Sequence, residues 1–210
     1  VIGLAAGQNL KLLAQQVKEF QPRMVWANTG MDDARLGLGG IVKVPMDEMV
    51  CEPDIDIVMV ATTGKSGLVP TLNALRAGHA VALSSKEVVV MAGELVTKTA
   101  AMSNAPLLPV DSEPSAIWQC LRGENEPVER LIITASGGPF RTRSIDQIAC
   151  VTPEEALVHP TWSMGKKITV DSSTLMNKGF EVIESKWLFD VPFARIDVVV
   201  HPQSIIHSMV

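Results

Sequence analysis

Short apolar runs alternate with amphipathic stretches through the first hundred residues of the chain. Residues 1–6 read as a strand ending at Gly7, and Leu10–Phe20 as a helix. Met24–Ala27 and residues 41–44 read as short strands. Residues 55–61, apolar except at Asp56, read as a strand buried on both faces. Leu68, Leu72 and Leu75 then recur at helical spacing, Ala80–Leu83 reads as another strand, and residues 87–102 as a longer helix. Strands that alternate with helices imply an α/β fold with a doubly wound parallel sheet of the Rossmann type. Such sheets bind ligands at the carboxyl ends of their strands. Here those ends carry Gly7-Gln8-Asn9, Thr62-Thr63-Gly64, Ser84-Ser85-Lys86 and Asp111-Ser112-Glu113.

The alternation breaks near residues 106–109, which divides the chain into domains 1–108 and 109–210, the second of α+β character. Residues 131–134 read as a strand, followed by the turn Ser136-Gly137-Gly138-Pro139. A helix start is well marked at Thr152, with Pro153 in its first turn and Glu155 closing a capping box. A polar loop, residues 159–165, precedes a helix expected from about Ser173 to Phe189. There is no internal repeat and no low-complexity tract.

Candidate chemistry concentrates in this second half. Asp111 and Glu113, two apart at a strand end, would project to one side. Oxygen-only ligands suit Mg²⁺ or Mn²⁺, whereas zinc favours histidine or cysteine. An isolated Asp-Ser-Glu is more often a helix cap, so a third carboxylate decides the matter, and Glu181 is the candidate. Asn177, Glu181 and Glu184 share one helix face beside Lys178, with Met176, Phe180, Ile183 and Trp187 as the adjoining apolar stripe. The ordinary expectation for such a face is solvation. Ser172, Ser173 and Thr174 are expected at that helix's N-terminus, where exposed N–H groups favour a phosphate. Lys178 would add a point charge, and the Ser136-Gly137-Gly138 turn a second set of N–H groups. His159 and Trp162 sit in the polar loop, which could close over a ligand. His201 and His207 are ambiguous. Lys86, between a strand and a helix, is expected with its charge free. Gly64-Lys65-Ser66 is not a Walker motif, because Met59 stands where the first glycine belongs.

Bulk composition narrows the function classes. With 47% hydrophobic and 20% charged residues, the 210-residue chain is an ordinary globular protein. A net charge of −5 offers no general basic field for nucleic acid. No apolar stretch approaches bilayer-spanning length and no signal-peptide pattern opens the chain, so no membrane partner is expected. Cys51, Cys120 and Cys150 are motif-free and read as buried, reduced residues of a cytosolic protein. Val1 and Val210 both fall inside strand-like apolar runs, as in a fragment cut at both sides.

Residues 108–113, 136–140, 159–184 and 201–209 carry a resemblance that extends over essentially the whole chain. The chain resembles 1-deoxy-D-xylulose 5-phosphate reductoisomerase, the NADPH-dependent family of the non-mevalonate isoprenoid pathway. The resemblance implies a carbon-skeleton rearrangement of a ketose phosphate, then reduction of the resulting aldehyde by NADPH, with Mg²⁺ or Mn²⁺ as Lewis acid. It implies Asp111, Glu113 and Glu181 as metal ligands, and Ser136, Ser172, Asn177 and Lys178 around the phosphate. Ser112, Lys86 and His159 would contact substrate, with Lys86, Glu113 and His159 closest to the chemistry. Trp162 and Met164 would belong to the closing loop. Gly7, Gln8, Asn9, Ser85, Glu87 and Gly165 would contact the cofactor. The family is homodimeric and cytoplasmic, or plastid-stromal in plastid-bearing sources.

Two departures change expectations. Gln8 stands where the family commonly has lysine or arginine, which implies a weaker 2′-phosphate contact, and Ser85 replaces a common asparagine. The family's glycine-rich dinucleotide turn and its C-terminal helical domain are not in the sequence, so these 210 residues are not expected to catalyse alone. Two other readings of the same residues stay open: a metal-dependent sugar-phosphate isomerase or aldolase without nicotinamide, and a non-catalytic phosphate-binding module.

Overall fold

Leu10, Leu13, Ala14 and Val17 recur three and four residues apart and make the inner face of the first helix, α1 (Leu10–Phe20). That face packs on Leu4 and Val25 of the neighbouring strands, with Leu13 and Val25 fully buried. Burial of a side chain of this size contributes about 1.5–3 kcal/mol. Asn9 caps the helix by accepting the Leu12 N–H at 3.1 Å, and Gln21 ends it in the left-handed conformation.

The computed structural model describes residues 1–28 and 41–210, which form two compact units, Val1–Leu108 and Pro109–Val210. In the first unit, β1 (Gly3–Ala6), β2 (Met24–Ala27) and β3 (Val42–Lys43) run parallel, with Gly3 opposite Met24 and Met24 opposite Val42. A second set comprises β4 (Ile57–Val60), β5 (Ala80–Leu83) and β6 (Leu107–Pro109), in that order. β4 and β5 are parallel, with Ile57 opposite Ala80. Helices α2 (Met46–Met49), α3 (Leu68–Arg76) and α4 (Lys86–Ser103) connect these strands, and α4 bends at Ala92. The α/β class follows from this order of elements.

Residues 55–61 do not behave as a strand covered on both sides. β4 is an outer strand of its set. Val60 is buried, but Ile57 and Met59 are 53% and 60% exposed. Alternation across a strand sends those two side chains to the opposite face from Val60. Residues Gly64–Gly67 form a 3₁₀ turn rather than a phosphate loop. A Cβ on Gly67 would lie 2.6 Å from Thr62 Oγ1 and 2.8 Å from Val60 Cγ1, so the turn packs directly on the end of β4. The three cysteines also differ from expectation. All are free, but each is exposed rather than buried. Each lies at or just past the end of a helix.

The second unit centres on β7 (Leu131–Ala135), flanked by parallel β8 (Ile196–Val200) and antiparallel β9 (Ser208–Met209). Helices α5 (Ser112–Cys120) and α9 (Met176–Phe189) pack against this sheet. Ile117, Leu131, Ile133, Val191 and Ile196 form the core there, with Val182 and Phe189 against them. Short helices α6 (Ile145–Ile148) and α7 (Pro153–Ala156) each open with a complete capping box. Helix α8 (Lys166–Ser173) then leads into α9. Among the described residues, no helix is long and apolar enough to cross a membrane.

Candidate metal and phosphate site

Asp111 and Glu113 converge through a helix start, not through alternation along a strand. β6 ends at Pro109, and Asp111 is the N-cap of α5, its Oδ1 accepting the Ser112 N–H at 3.1 Å. Glu113 lies in the first turn of that helix. The capping role and a ligand role are compatible, since the cap bond runs to Oδ1, one of the two oxygens of the Asp111 carboxylate.

The helix expected from about Ser173 is two helices meeting at a corner. Leu175 joins them with φ of 60°, a left-handed conformation unusual for a side chain of its bulk. Ser172 and Ser173 end α8 and Thr174 caps its C-terminus, so these hydroxyls do not sit at a helix N-terminus. Ser173 Oγ donates to the Val170 carbonyl at 2.7 Å, and only Ser172 of the three lines the cleft described below.

Helix α9 is oriented opposite to the usual rule. Lys178, Glu181, Glu184 and Ser185 are buried, while Met176 is 51% exposed. The polar face turns inward because it meets the carboxylates of α5. Lys178 Nζ donates to Glu113 Oε1 at 2.8 Å and also to Glu181 Oε2. Asn177 Nδ2 donates to Glu181 Oε1 at 2.7 Å, and Ser112 Oγ to Glu113 Oε2 at 2.7 Å. Burial pushes the Glu113 carboxyl up. The Lys178 ammonium, its hydrogen bond and those from Ser112 and the Glu113 backbone more than offset this, holding the group below 4.5.

Asp111, Glu113 and Glu181 each present a carboxylate oxygen within 4.8 Å of the others. Octahedral oxygen coordination at about 2.1 Å sets opposite ligands about 4.2 Å apart. The donor set is all oxygen and carries three negative charges, so it fits a hard divalent cation with a small inward movement of the side chains.

These carboxylates form one wall of a cleft of about 330 Å³. The opposite part is built by the turn after β7. Gly137 and Gly138 have φ of 88° and 66°, and a Cβ on Gly138 would lie 2.6 Å from the Ser172 carbonyl oxygen. Only glycine lets the Ser136 turn and the end of α8 approach so closely. Ser136 Oγ lies 3.1 Å from His159 Nε2. His159 Nδ1 accepts the N–H groups of Thr161 (3.1 Å) and Trp162 (2.9 Å). With Nδ1 an acceptor, the ring proton lies on Nε2 and is donated to Ser136. The ring thus ties the loop to the glycine turn.

Burial and the charge of Arg141 lower the His159 pKa below 6.5. A depressed histidine pKa stabilises the fold fully above the unfolded value, and this is lost as pH falls through the lower folded value. The His159 ring is therefore expected to titrate below pH 6.5 by NMR, with the Thr161 and Trp162 amide signals moving at the same midpoint. A midpoint at or above 6.5, or amides that ignore it, would contradict this tautomer.

Of the residues singled out from sequence, Asp111, Ser112, Glu113, Ser136, His159, Trp162, Met164, Ser172, Asn177, Lys178 and Glu181 all line this cleft. Gly165 does not; it is the exposed N-cap of α8. Gly7, Gln8, Asn9, Ser85, Lys86 and Glu87 belong to the first unit. There Gly7, Gln8 and Asn9 are exposed at the carboxyl end of β1. Lys86 is only 6% exposed, so it does not hold its charge free in solvent. Ser85 Oγ donates to the Thr62 carbonyl, joining the ends of β5 and β4. Thr62 Oγ1 is buried and has no hydrogen-bond partner among the described residues. Exposed polar turns at the carboxyl ends of parallel strands, such as Gly7–Asn9, are where this class of sheet takes a polar ligand.

Ser204, Ile168 and Leu175, which sequence reasoning missed, also line the cleft, as does His207, which it left ambiguous. For Ser204 and His207 the signal was the polar cluster that begins at His201, which periodicity alone could not separate from a buried strand end. Ser204, like Leu175, has a positive φ, of 48°.

Residues 1–93 match the family model described as 1-deoxy-D-xylulose 5-phosphate reductoisomerase, and residues 107–189 match the model of that enzyme's C-terminal domain. A relative from Thermoanaerobacter sp. (strain X514), named 1-deoxy-D-xylulose 5-phosphate reductoisomerase, is 49% identical over 100% of this chain and 57% of its own length. One of the same name from Bacteroides fragilis is 50% identical over 100% of this chain and 56% of its own. A crystal structure of DOX-P reductoisomerase in complex with NADPH, fosmidomycin and magnesium superposes with a TM-score of 0.88 at 37% identity, covering 99% of this chain and 56% of that one. The Zymomonas mobilis enzyme in complex with NADPH gives 0.86 at 39% identity, covering 100% and 56%. The chain thus spans a little over half the length of the relatives it matches. On both its units, the chain belongs to the 1-deoxy-D-xylulose 5-phosphate reductoisomerase family.

Proposed function

We propose that the full-length protein converts 1-deoxy-D-xylulose 5-phosphate to 2-C-methyl-D-erythritol 4-phosphate with NADPH and a divalent metal. The observation that carries this reading is the convergence of Asp111, Glu113 and Glu181 in one cleft with the Ser136 turn and Ser172. Carboxylates on one wall suit a metal, and hydroxyls with a glycine turn on the other suit a phosphate.

When bound, Mg²⁺ or Mn²⁺ supplies Lewis acidity toward the ketose oxygens, and NADPH supplies hydride. The chain's own residues do the positioning. Asp111, Glu113 and Glu181 would hold the metal. Ser136, Ser172, Asn177 and Lys178 would grip the phosphate and so fix the reacting carbons at the other end of a short sugar. His159, neutral and donating through Nε2, would hold Ser136 in place and carry the loop with Trp162 and Met164 over the substrate. Trp162 is 48% exposed, as a residue that closes only on a ligand would be. Ser112, bonded to Glu113, would contact the substrate beside the metal. For Lys86 and for the cofactor contacts of Gly7, Gln8, Asn9, Ser85, Glu87 and Gly165, the assignment rests on family membership. A cytoplasmic homodimer belongs to the same proposal.

Absorbance of NADPH should fall only when full-length protein, the ketose phosphate and Mg²⁺ or Mn²⁺ are all present. Product formed with no loss of NADPH would instead favour an isomerase or aldolase of the same sugar phosphate.

A further inference from the structure

Two of the three carboxylates already share a cation of the chain's own. Lys178 Nζ bonds Glu113 Oε1 at 2.8 Å and Glu181 Oε2, and its side chain is only 7% exposed. Asn177 Nδ2 occupies Glu181 Oε1 at 2.7 Å. Both Glu181 oxygens and one Glu113 oxygen are therefore engaged by Asn177 and Lys178, the two side chains that the phosphate half of the cleft also needs. An ammonium and a divalent cation within one carboxylate triad repel each other. The lysine stem has four flexible carbons, so its charge can be re-aimed without moving α9.

We propose that Lys178 is an exchangeable counter-ion that couples the two halves of the site. It neutralises Glu113 and Glu181 while the metal is away. Metal entry displaces its ammonium, together with the Asn177 amide, toward Ser136 and Ser172, where they complete the phosphate cradle. The inference rests on the metal and phosphate assignments above and adds their linkage. Each ligand then raises affinity for the other by the same factor.

The test is binding of Mn²⁺ to the full-length protein, read from the electron paramagnetic resonance signal of free ion, with and without methyl phosphate. Methyl phosphate should tighten Mn²⁺ about tenfold in the wild type, within the usual range for coupled sites. Lys178→Met should bind Mn²⁺ about tenfold more tightly than the wild type without phosphate, because the internal competitor is gone. Methyl phosphate should then have no further effect. Lys178→Gln, which keeps donors without charge, should move the same way if the methionine variant folds poorly by circular dichroism. Lys178→Arg should retain both the competition and the coupling.

A folded Lys178→Met or Lys178→Gln protein that binds Mn²⁺ no better than wild type overturns the exchange. So does methyl phosphate that still tightens Mn²⁺ in those variants, since phosphate would then touch the metal directly. If wild-type protein shows no Mn²⁺ site sensitive to Glu113→Gln, the metal assignment fails first and the exchange falls with it.

Discussion

Glu181→Gln is expected to weaken Mn²⁺ binding by at least about 100-fold and to slow turnover of the full-length protein about 10³-fold, roughly 4 kcal/mol in the barrier. Glu181 is fully buried, and its oxygens face Asn177, Lys178 and the other two carboxylates. Glutamine keeps the shape and the volume but removes one of three charges from the donor set. The fold should survive, because Lys178 keeps its partner Glu113 at 2.8 Å. Glu184 provides the control. It is equally buried, one turn further along α9, but lies outside the carboxylate triad and the cleft. Glu184→Gln should leave Mn²⁺ affinity within about twofold, since it alters no ligand. Equal loss in both variants would mean that polarity inside α9, rather than coordination, sets the affinity. Calorimetric titration of Mn²⁺ into both variants separates the outcomes.

Gly138→Ala should destabilise the protein by about 2–5 kcal/mol and abolish measurable phosphate binding. Two costs add. A left-handed backbone costs about 1–2 kcal/mol for an L-residue, and φ at Gly138 is 66°. Overpacking costs about 1–3 kcal/mol more, because the new methyl would meet the Ser172 carbonyl oxygen at 2.6 Å and Ser173 Cα at 3.1 Å. Those are backbone atoms, so no side-chain rotation relieves the clash. The relief available is separation of the Ser136 turn from α8, which pulls apart two walls of the cleft. A melting temperature lower by roughly 5–15 °C, with phosphate protection lost, is the expected result. A stable variant with intact phosphate binding would show that the two walls need not touch.

Local signals were legible wherever one element could be read by itself. The capping box at Thr152 and Glu155 appears as the sequence implied. The bounds of α1, β2 and β5 follow directly from apolar spacing. Misreadings arose where a distant partner decided the outcome. Residues 55–61 read as a doubly covered strand, but a run of apolar residues carries no information on which neighbours exist. The corner at Leu175 was invisible, since no propensity scale favours a left-handed leucine and the flanking residues are all compatible with helix. Lys178, Glu181 and Glu184 looked like a wet face because the carboxylate that draws Lys178 inward, Glu113, comes from α5, 65 positions away. The identities of Asp111, Glu113 and Glu181 as one cluster were readable only by asking which carboxylates might share a cation. The tautomer of His159 depends on two backbone N–H groups that no pattern of residues announces.

Leu175 and Ser204 share an uncomfortable backbone geometry and border the same cleft. Strain of this kind persists only where the surroundings enforce it. Engineers seeking a more heat-resistant protein would be drawn to both positions, because glycine there should relax the chain. The same relaxation would let the α8–α9 elbow and the segment before β9 wander, so thermal robustness gained at these two points should come at the expense of ligand grip.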